Sequence, residues 1–220
     1  MTTMITIKLP DGSEREVPAG TTALEVAQGI GPGLAKAALA AKVDGEVWDL
    51  SRPIPETSSL EILTDRQPEA LGVLRHSAAH VLATAVRQLF PEANIGFGPA
   101  IDDGFYYDFD VERPFTPEDL EAIEQRMHEV VREDYVFVRE EVDRAGAEGR
   151  FQDDPLKLER LEELGDDETI SVYTDGLFVD LCRGPHLPGT GYQGASERFG
   201  IGSQLGLDQT MNVLHLENVT

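Results

Sequence analysis

The chain has 220 residues, a length that suits one large domain or two small ones, each with its own core. Its formal net charge of -23 argues against a protein that binds nucleic acid unaided, and its single cysteine excludes an intramolecular disulfide and a multi-thiolate zinc cluster. Because no apolar run approaches the roughly 20 residues that span a bilayer, and no signal peptide is visible, we expect a cytoplasmic protein without a membrane partner.

The first residues have the pattern of a hairpin followed by a helix. Ile5, Ile7 and Leu9 alternate with polar residues before an Asp-Gly turn, which predicts two paired strands. Thr22 and Glu25 have the spacing of a capping box, which predicts the start of a helix. A second helical run is predicted over residues 34–41.

Two further patterns complete a small sheet by about residue 65. An Asp-Gly pair at 44–45 predicts another hairpin, and alternation around residues 60–62 predicts a last strand. The resulting element order resembles the ubiquitin-like β-grasp, and in particular the TGS module found at the start of threonyl-tRNA synthetases and of some GTPases. The resemblance covers residues 1–65.

Residues 66–70 are polar and contain a proline, which predicts a linker to a second domain over 71–190. Helices are predicted around 73–89, 116–131 and 158–164, strands at 135–142, 169–173 and 177–181, paired strands or turns over 95–110, and little structure between 143 and 152. This mixture predicts an α+β fold for the second domain.

His76 and His80 form an HxxxH pair on the first helix of that domain. Residues four apart lie one turn from each other on one face, so both imidazoles can reach one ligand. The histidine face is predicted to lie opposite the apolar stripe of the helix, with small alanines beside it. Two exposed histidines on an ordinary helix are the alternative interpretation.

Cys182 and His186 form a CxxxH pair across Gly184-Pro185, a sequence that turns and cannot continue a helix. With the first pair they supply three imidazoles and one thiol, which suits a tetrahedral zinc site and equally a hydrogen-bonding cluster for ester hydrolysis. Taken singly, Cys182 is a buried inert thiol and His186 a loop histidine.

Four stretches resemble the editing domain of bacterial threonyl-tRNA synthetases over residues 71–189: HSAAHVLATAV, GPAIDDGFYYDFD, PLKLERLEEL and DETISVYTDGLFVDLCRGPH. The resemblance implies an α+β aminoacyl-tRNA editing domain that hydrolyses mischarged seryl-tRNA(Thr). It implies catalytic roles for His76 and Lys157. The implied substrate-binding residues are His80, Tyr106, Asp180, Cys182 and His186.

A related fold in alanyl-tRNA editing proteins carries the same two residue pairs with zinc, so a zinc set of His76, His80, Cys182 and His186 is the alternative to metal-free editing. The implied partners are the acceptor end of tRNA(Thr) and the catalytic and anticodon-binding domains of a synthetase. Other interpretations are a non-catalytic binding module and a zinc-dependent hydrolase of another aminoacyl ester.

The sequence departs from the resemblance after residue 190. Residues 191–220 are rich in glycine and lack the aromatic and basic signature that follows in the family, so we expect a divergent tail produced by truncation or frameshift. No ATP-binding motif is visible. We therefore expect neither ATP binding nor aminoacylation by this chain alone.

Overall fold

A computed structural model describes residues 3–101, 104–165, 167–192, 205–208 and 213–217. Its contacts divide the chain into two compact units: one of Met1–Leu74 with Gly184–Pro188, the other of Arg75–Arg183 with Gly189–Thr220. Among the helices of the described residues, none is long and apolar enough to cross a membrane.

The first unit contains a five-stranded sheet and two short helices. Its elements are β1 (Met4–Lys8), β2 (Glu14–Pro18), α1 (Ala23–Ile30), α2 (Pro32–Ala37), β3 (Ala38–Val43), β4 (Glu46–Trp48) and β5 (Ser58–Thr64). The strand order is β2-β1-β5-β3-β4, and β1 and β5 run parallel while the other pairs are antiparallel. The predicted β-grasp is therefore confirmed.

The local signals of this unit act as predicted. The backbone N–H of Glu25 donates to the Thr22 hydroxyl, and the Glu25 carboxylate accepts from the backbone N–H of Thr22, so the capping box that starts α1 is formed. The prediction of helix over 34–41 is wrong in its second half. Residues 38–41 lie in the buried strand β3 between β5 and β4, where sheet pairing overrides the helical preference of alanine.

The remaining elements begin with a long helix. They are α3 (Pro68–Leu89), β6 (Asn94–Ile95), β7 (Gly104–Asp110), α4 (Pro117–Glu133), β8 (Val138–Val142), α5 (Arg144–Arg150), α6 (Pro155–Glu163), β9 (Ile170–Asp175), β10 (Phe178–Leu181), β11 (Leu205–Asp208) and β12 (Val213–Glu217). One sheet has the order β10-β9-β8, and the other has the order β11-β12-β7-β6.

The start of α3 differs from the sequence prediction. The helix begins at Pro68, inside the expected linker, because proline is tolerated in the first helical turn, where its missing N–H has no helical partner to lose. Residues 77–86 of α3 are all buried. This part of α3 therefore lacks the expected solvent-exposed polar face opposite an apolar stripe. The helix is buried on all sides over these residues.

Three other segments of the second unit bear on the predictions. Thr116 caps α4 with Pro117 in its first turn, as predicted. The stretch expected to have little structure contains α5, which Asp143 caps through the backbone N–H of Gly146. Within the expected divergent tail, the described residues include a turn at residues 191–192 and the strands β11 and β12, and β12 pairs with β7; residues 193–204, 209–212 and 218–220 lie outside the described residues.

Candidate functional site

A cavity of about 680 Å³ lies within the second unit. It is bounded by α3, by the loop after β6, by α6 and by the strands β9 and β10. Its lining includes His76, His80, Phe97, Gly98, Tyr107, Leu156, Glu159, Arg160, Glu163, Ser171, Asp180, Cys182 and Arg183. Four of the residues expected at the site, two from α3 and two from the end of β10, are thus brought to one cavity.

Asp180 is the centre of a buried polar network beside this cavity. One carboxylate oxygen lies 2.6 Å from Lys157 Nζ, and the other accepts a hydrogen bond of 2.8 Å from the Tyr107 hydroxyl. His80 Nε2 lies 3.5 Å from that second oxygen. Burial alone would raise the pKa of Asp180, but the charge of Lys157 and the other donors outweigh it and hold the pKa below its usual range. Asp180 is therefore ionised.

His80 is fully enclosed between α3 and the sheet of β8, β9 and β10. Its ring makes edge contacts with Phe137 and Phe178, whose centroids lie 6.1 and 5.9 Å away. Burial lowers the pKa of His80 to about 3, against the opposing attraction of Asp180. His80 is therefore a neutral imidazole at pH 7, with Nε2 turned toward a carboxylate that favours the tautomer carrying its hydrogen there.

His76 stands one turn before His80 and is only partly buried. The two rings meet edge to face at 5.3 Å, and His76 Nε2 lies 3.3 Å from Cys182 Sγ. Cys182 is fixed by its backbone, because its N–H donates to the Ser171 carbonyl and its own carbonyl accepts from the Ser171 hydroxyl. The imidazole of His76 is thus held at the cavity surface, where water can reach it.

The side chains of His76, His80 and Cys182 could hold a metal ion. Their ligand atoms all lie within 4.8 Å of one another. Nitrogen and sulfur donors at such separations are the ligands that zinc prefers, so the donor set fits zinc in type.

His186 groups with the first unit, as part of Gly184–Pro188. It is fully buried, and its backbone N–H donates to the Asp49 carboxylate at 2.7 Å. Gly184 has a φ of 70°, a left-handed conformation that favours glycine, which confirms the predicted turn between Cys182 and His186.

Lys157 lies behind the cavity wall and does not line it. Its ammonium is almost completely buried and donates to the Gly96 carbonyl at 2.5 Å while it pairs with Asp180. It also lies 4.3 Å from the centre of the Phe97 ring, in a cation–π contact. The structure thus connects Lys157 to the cavity through its ion pair with Asp180, which does line it.

The glycines of the loop after β6 allow this arrangement. A Cβ on Gly98 would stand closer than 3.0 Å to three atoms of the Tyr107 ring, so the backbone covers the ring directly. Tyr107 is held between this loop and the stacked ring of Phe109, with its hydroxyl aimed at Asp180.

Tyr106, the tyrosine expected at the site, lies on the other face of β7. It is 36% exposed and is absent from the cavity lining among the described residues, whereas its neighbour Tyr107 is buried and lines the cavity. The signal for Tyr107 was present in the sequence. Phe105, Tyr107 and Phe109 alternate with more polar residues in β7, which places all three on the buried face.

A second buried carboxyl lies on the same side of the sheet. Asp175 is completely enclosed, and its Oδ2 accepts a hydrogen bond of 2.5 Å from the Thr84 hydroxyl of α3. Burial, with only this donor to oppose it strongly, raises the pKa of Asp175 well above its usual range. No role for this aspartate was predicted from the sequence, whereas the family resemblance implied one for Asp180.

The fold and this site can be set beside known proteins. Residues 5–64 match the TGS domain family, so the first unit contains a TGS domain. Over 190 residues, or 86% of the chain, the sequence is 50% identical to the threonine-tRNA ligase of Geobacter sp. (strain M21). Over the same share it is 53% identical to the threonine-tRNA ligases of Cupriavidus necator and Desulforamulus reducens.

The chain spans about 30% of the length of these relatives. It is homologous to the N-terminal region of bacterial threonine-tRNA ligases, the TGS domain with the domain that follows it. This confirms the family that the sequence motifs indicated.

Proposed function

We propose that the second unit hydrolyses the ester of seryl-tRNA(Thr), as the proofreading part of a threonine-tRNA ligase. The observation that carries the proposal is the cavity itself, whose lining holds both a partly exposed imidazole, His76, and an ionised carboxylate, Asp180, that is fixed by its polar partners. A base that reaches water and a fixed negative charge that can hold an ammonium group are what hydrolysis of an aminoacyl ester requires.

The need for such a site follows from the chemistry of the two amino acids. Serine is threonine without one methyl group, a difference worth only about 1–3 kcal/mol in a binding pocket. A second pocket too small for the methyl group would hydrolyse seryl-tRNA and leave threonyl-tRNA intact.

In the proposed reaction His76 removes a proton from a water molecule at the cavity surface, and that water attacks the ester carbonyl. Asp180 binds the α-ammonium group of serine, and His80, neutral and oriented by Asp180, hydrogen-bonds the serine hydroxyl. Lys157 is a positioning residue that keeps Asp180 charged and in place. The proton on His76 passes to the departing ribose oxygen, which restores the base.

Cys182 and His186 complete the proposed substrate-binding set. Cys182 lines the cavity 3.3 Å from His76, and His186 follows four residues later in the sequence. We propose that these two side chains orient the terminal ribose. Tyr106 remains in the proposal only through the family resemblance, since Tyr107 is the tyrosine at the cavity.

The proposed partners are the acceptor end of tRNA(Thr) and the remaining domains of a synthetase. With a net charge of -23 the chain would bind a polyanion weakly by itself, so other domains would supply the grip on the tRNA. We place this activity in the cytoplasm, where charged tRNA is used.

The test is deacylation of seryl-tRNA(Thr) and threonyl-tRNA(Thr) by the full chain. We expect turnover of the seryl form only, and His76→Ala should slow it by about 10²-fold or more, because positioned acid-base groups contribute roughly 10²–10⁴-fold. His128→Ala, in α4 and away from the cavity lining, is the matched control and should retain full activity. A well-folded chain with no turnover would favour the non-catalytic binding module.

The second candidate is a zinc-dependent aminoacyl ester hydrolase, favoured by the close approach of His76, His80 and Cys182. Bound there, with His186 as a proposed fourth ligand, zinc would act as a Lewis acid and lower the pKa of a water ligand. Elemental analysis of purified protein decides between the two. About one zinc per chain that is lost in Cys182→Ser would replace the metal-free proposal, whereas its absence, with activity unchanged by chelators, would support it.

A further inference from the structure

We infer that Arg160 and Arg183 bind the phosphate of the terminal nucleotide at the mouth of the cavity. The inference rests on the proposed function, because that nucleotide carries the aminoacyl ester. Both arginines line the cavity, and their side chains are 43% and 66% exposed, whereas His80 and Asp180 in the same lining are buried. The cavity thus has a buried end that suits the amino acid and an open end that carries guanidinium groups.

The helix α6 presents one of these groups by its periodicity. Glu159 and Arg160 follow Leu156 by three and four residues and Glu163 follows it by seven, the spacing of one helix face, and all four line the cavity. Lys157 and Leu161 point into the protein interior from the same helix. Because the interior residues anchor α6, Arg160 is presented at a fixed place on the cavity edge.

Arg183 lines the cavity from the segment just after β10. It follows Cys182 directly, and the backbone of Cys182 is hydrogen-bonded to Ser171 in both directions. The backbone position that carries the Arg183 side chain is therefore next to the residue whose thiol contacts His76. A nucleotide whose ester lay near His76 would bring its own phosphate toward this end of the cavity.

Each arginine already holds a carboxylate in an exposed ion pair. Arg160 pairs with Glu163 at 2.6 Å, and Arg183 pairs with Glu168. Exposed ion pairs of this kind contribute little to stability, so a phosphate can replace the carboxylate. Guanidinium groups match phosphate in shape and charge and bind it with two parallel hydrogen bonds.

The charged side chains around the cavity are of both signs, so the effects of the two arginines on phosphate binding can be told from those of the glutamates. Among the described residues that line the cavity, the only lysine or arginine side chains are those of Arg160 and Arg183. The chain as a whole has a net charge of -23. Glu159 and Glu163 line the same edge and oppose an anion. We therefore expect the arginines and the glutamates to act on phosphate binding with opposite signs.

The test compares two ligands that differ by one phosphate. They are 3′-seryl-amido-adenosine, with an amide that cannot be cleaved as an ester, and the same compound carrying a 5′-phosphate. Binding to the full chain is measured by calorimetry. We expect the phosphorylated ligand to bind about tenfold or more tightly, the size of a charged hydrogen bond, with a preference that shrinks as salt is raised.

Single substitutions assign the effect. Arg160→Gln and Arg183→Gln should each reduce the preference for the phosphorylated ligand severalfold and leave affinity for the unphosphorylated ligand unchanged, while Glu163→Gln should increase the preference. Arg150→Gln is the matched control, since Arg150 forms a similar exposed pair with Glu140 but is absent from the described cavity lining.

Equal affinity for the two ligands, absence of binding, or a preference unaffected by the arginine substitutions would overturn the inference. Hydrolysis of the corresponding seryl esters is measured separately. Phosphate-dependent binding without hydrolysis would contradict the proposed function alone, and hydrolysis without any phosphate preference would contradict this inference alone.

Discussion

Asp175 and Asp180 lie on the same face of two neighbouring strands, β9 and β10, and both are buried, yet the pKa values of their carboxyl groups are shifted in opposite directions. Asp180 contacts an ammonium, a phenol and an imidazole, and its pKa is lowered. Asp175 receives one hydroxyl, and its pKa is raised. Since burial is common to both, the polar partners decide in which direction each pKa is shifted.

The polar partners of each carboxyl group also decide how rigidly that group is held. A buried charge requires several donors, and those donors in turn fix the position of the carboxylate, so Asp180 is both ionised and rigid. The carboxyl of Asp175, whose pKa is raised, has fewer polar partners and is a packing group that also accepts a hydrogen bond. Position in the sheet alone would not reveal which of the two belongs to the site.

The largest effect is expected when Asp180 loses its ammonium partner. Lys157→Met should destabilise the second unit by about 3–5 kcal/mol, because it leaves a buried carboxylate without its counter-charge. The pKa of Asp180 should then rise, as that of Asp175 does. Under the proposed function, seryl-tRNA hydrolysis should also fall about 10²-fold or more, because the charge proposed to hold the substrate is lost.

The pH dependence of unfolding by urea checks this prediction. In the native chain the lowered pKa of Asp180 gives stability that is present above the unfolded-chain pKa of about 3.9 and lost as pH falls through the folded value. In Lys157→Met the sign should reverse, so that stability increases as pH falls toward that unfolded value. If the variant keeps the native pH profile, the ammonium of Lys157 is not what ionises Asp180.

A smaller effect is expected from the tyrosine that donates to the same carboxylate. Tyr107→Phe removes a hydrogen bond to a buried charge and should cost about 1.5–3 kcal/mol of stability. Tyr106→Phe is the matched control on the next residue and should change stability by less than about 0.5 kcal/mol. The two free energies of unfolding are measured side by side, and equal losses would contradict the placement of the rings.

The effect expected at Asp175 has the opposite sign, because a substitution there should increase stability. Because its folded pKa is raised, the wild-type chain loses stability as pH rises from the unfolded-chain value toward the folded one. Asp175→Asn keeps an oxygen that can accept the hydrogen bond from Thr84 but does not titrate. The variant should therefore be more stable than wild type at neutral pH. The difference should grow with pH by at most about 1.4 kcal/mol per pH unit, as measured by thermal or urea unfolding between pH 4 and 8. A variant less stable than wild type throughout would show that Asp175 is ionised.

The first unit could be predicted well because its signals are local. The capping box at Thr22, the Asp-Gly turns and the alternating strands each act over a few residues, and the structure forms them. The error at residues 38–41 came from a strand whose partners lie elsewhere in the chain. Local preference cannot show which neighbour a segment will pair with.

The candidate site likewise has features that local sequence patterns predicted and features that they did not. The spacing of His76 and His80 predicted that they would share a face, and the turn at Gly184 predicted the end of β10. The network around Asp180 joins residues separated by 73 positions for Tyr107 and by 23 for Lys157. Such contacts depend on tertiary packing, and the motifs named Lys157 and Asp180 without showing that one acts through the other.

Gly98 carries no functional group, yet it sets the thickness of the wall behind the site. Because its backbone lies against the Tyr107 ring, even the single methyl group of Gly98→Ala would displace the ring and with it the hydroxyl that braces Asp180. In a saturation-mutagenesis screen for proofreading, this position should therefore tolerate as little change as the histidines do. If relatives keep glycine at this position, the reason would be the shape of the cavity wall, although glycine has no side chain that takes part in chemistry.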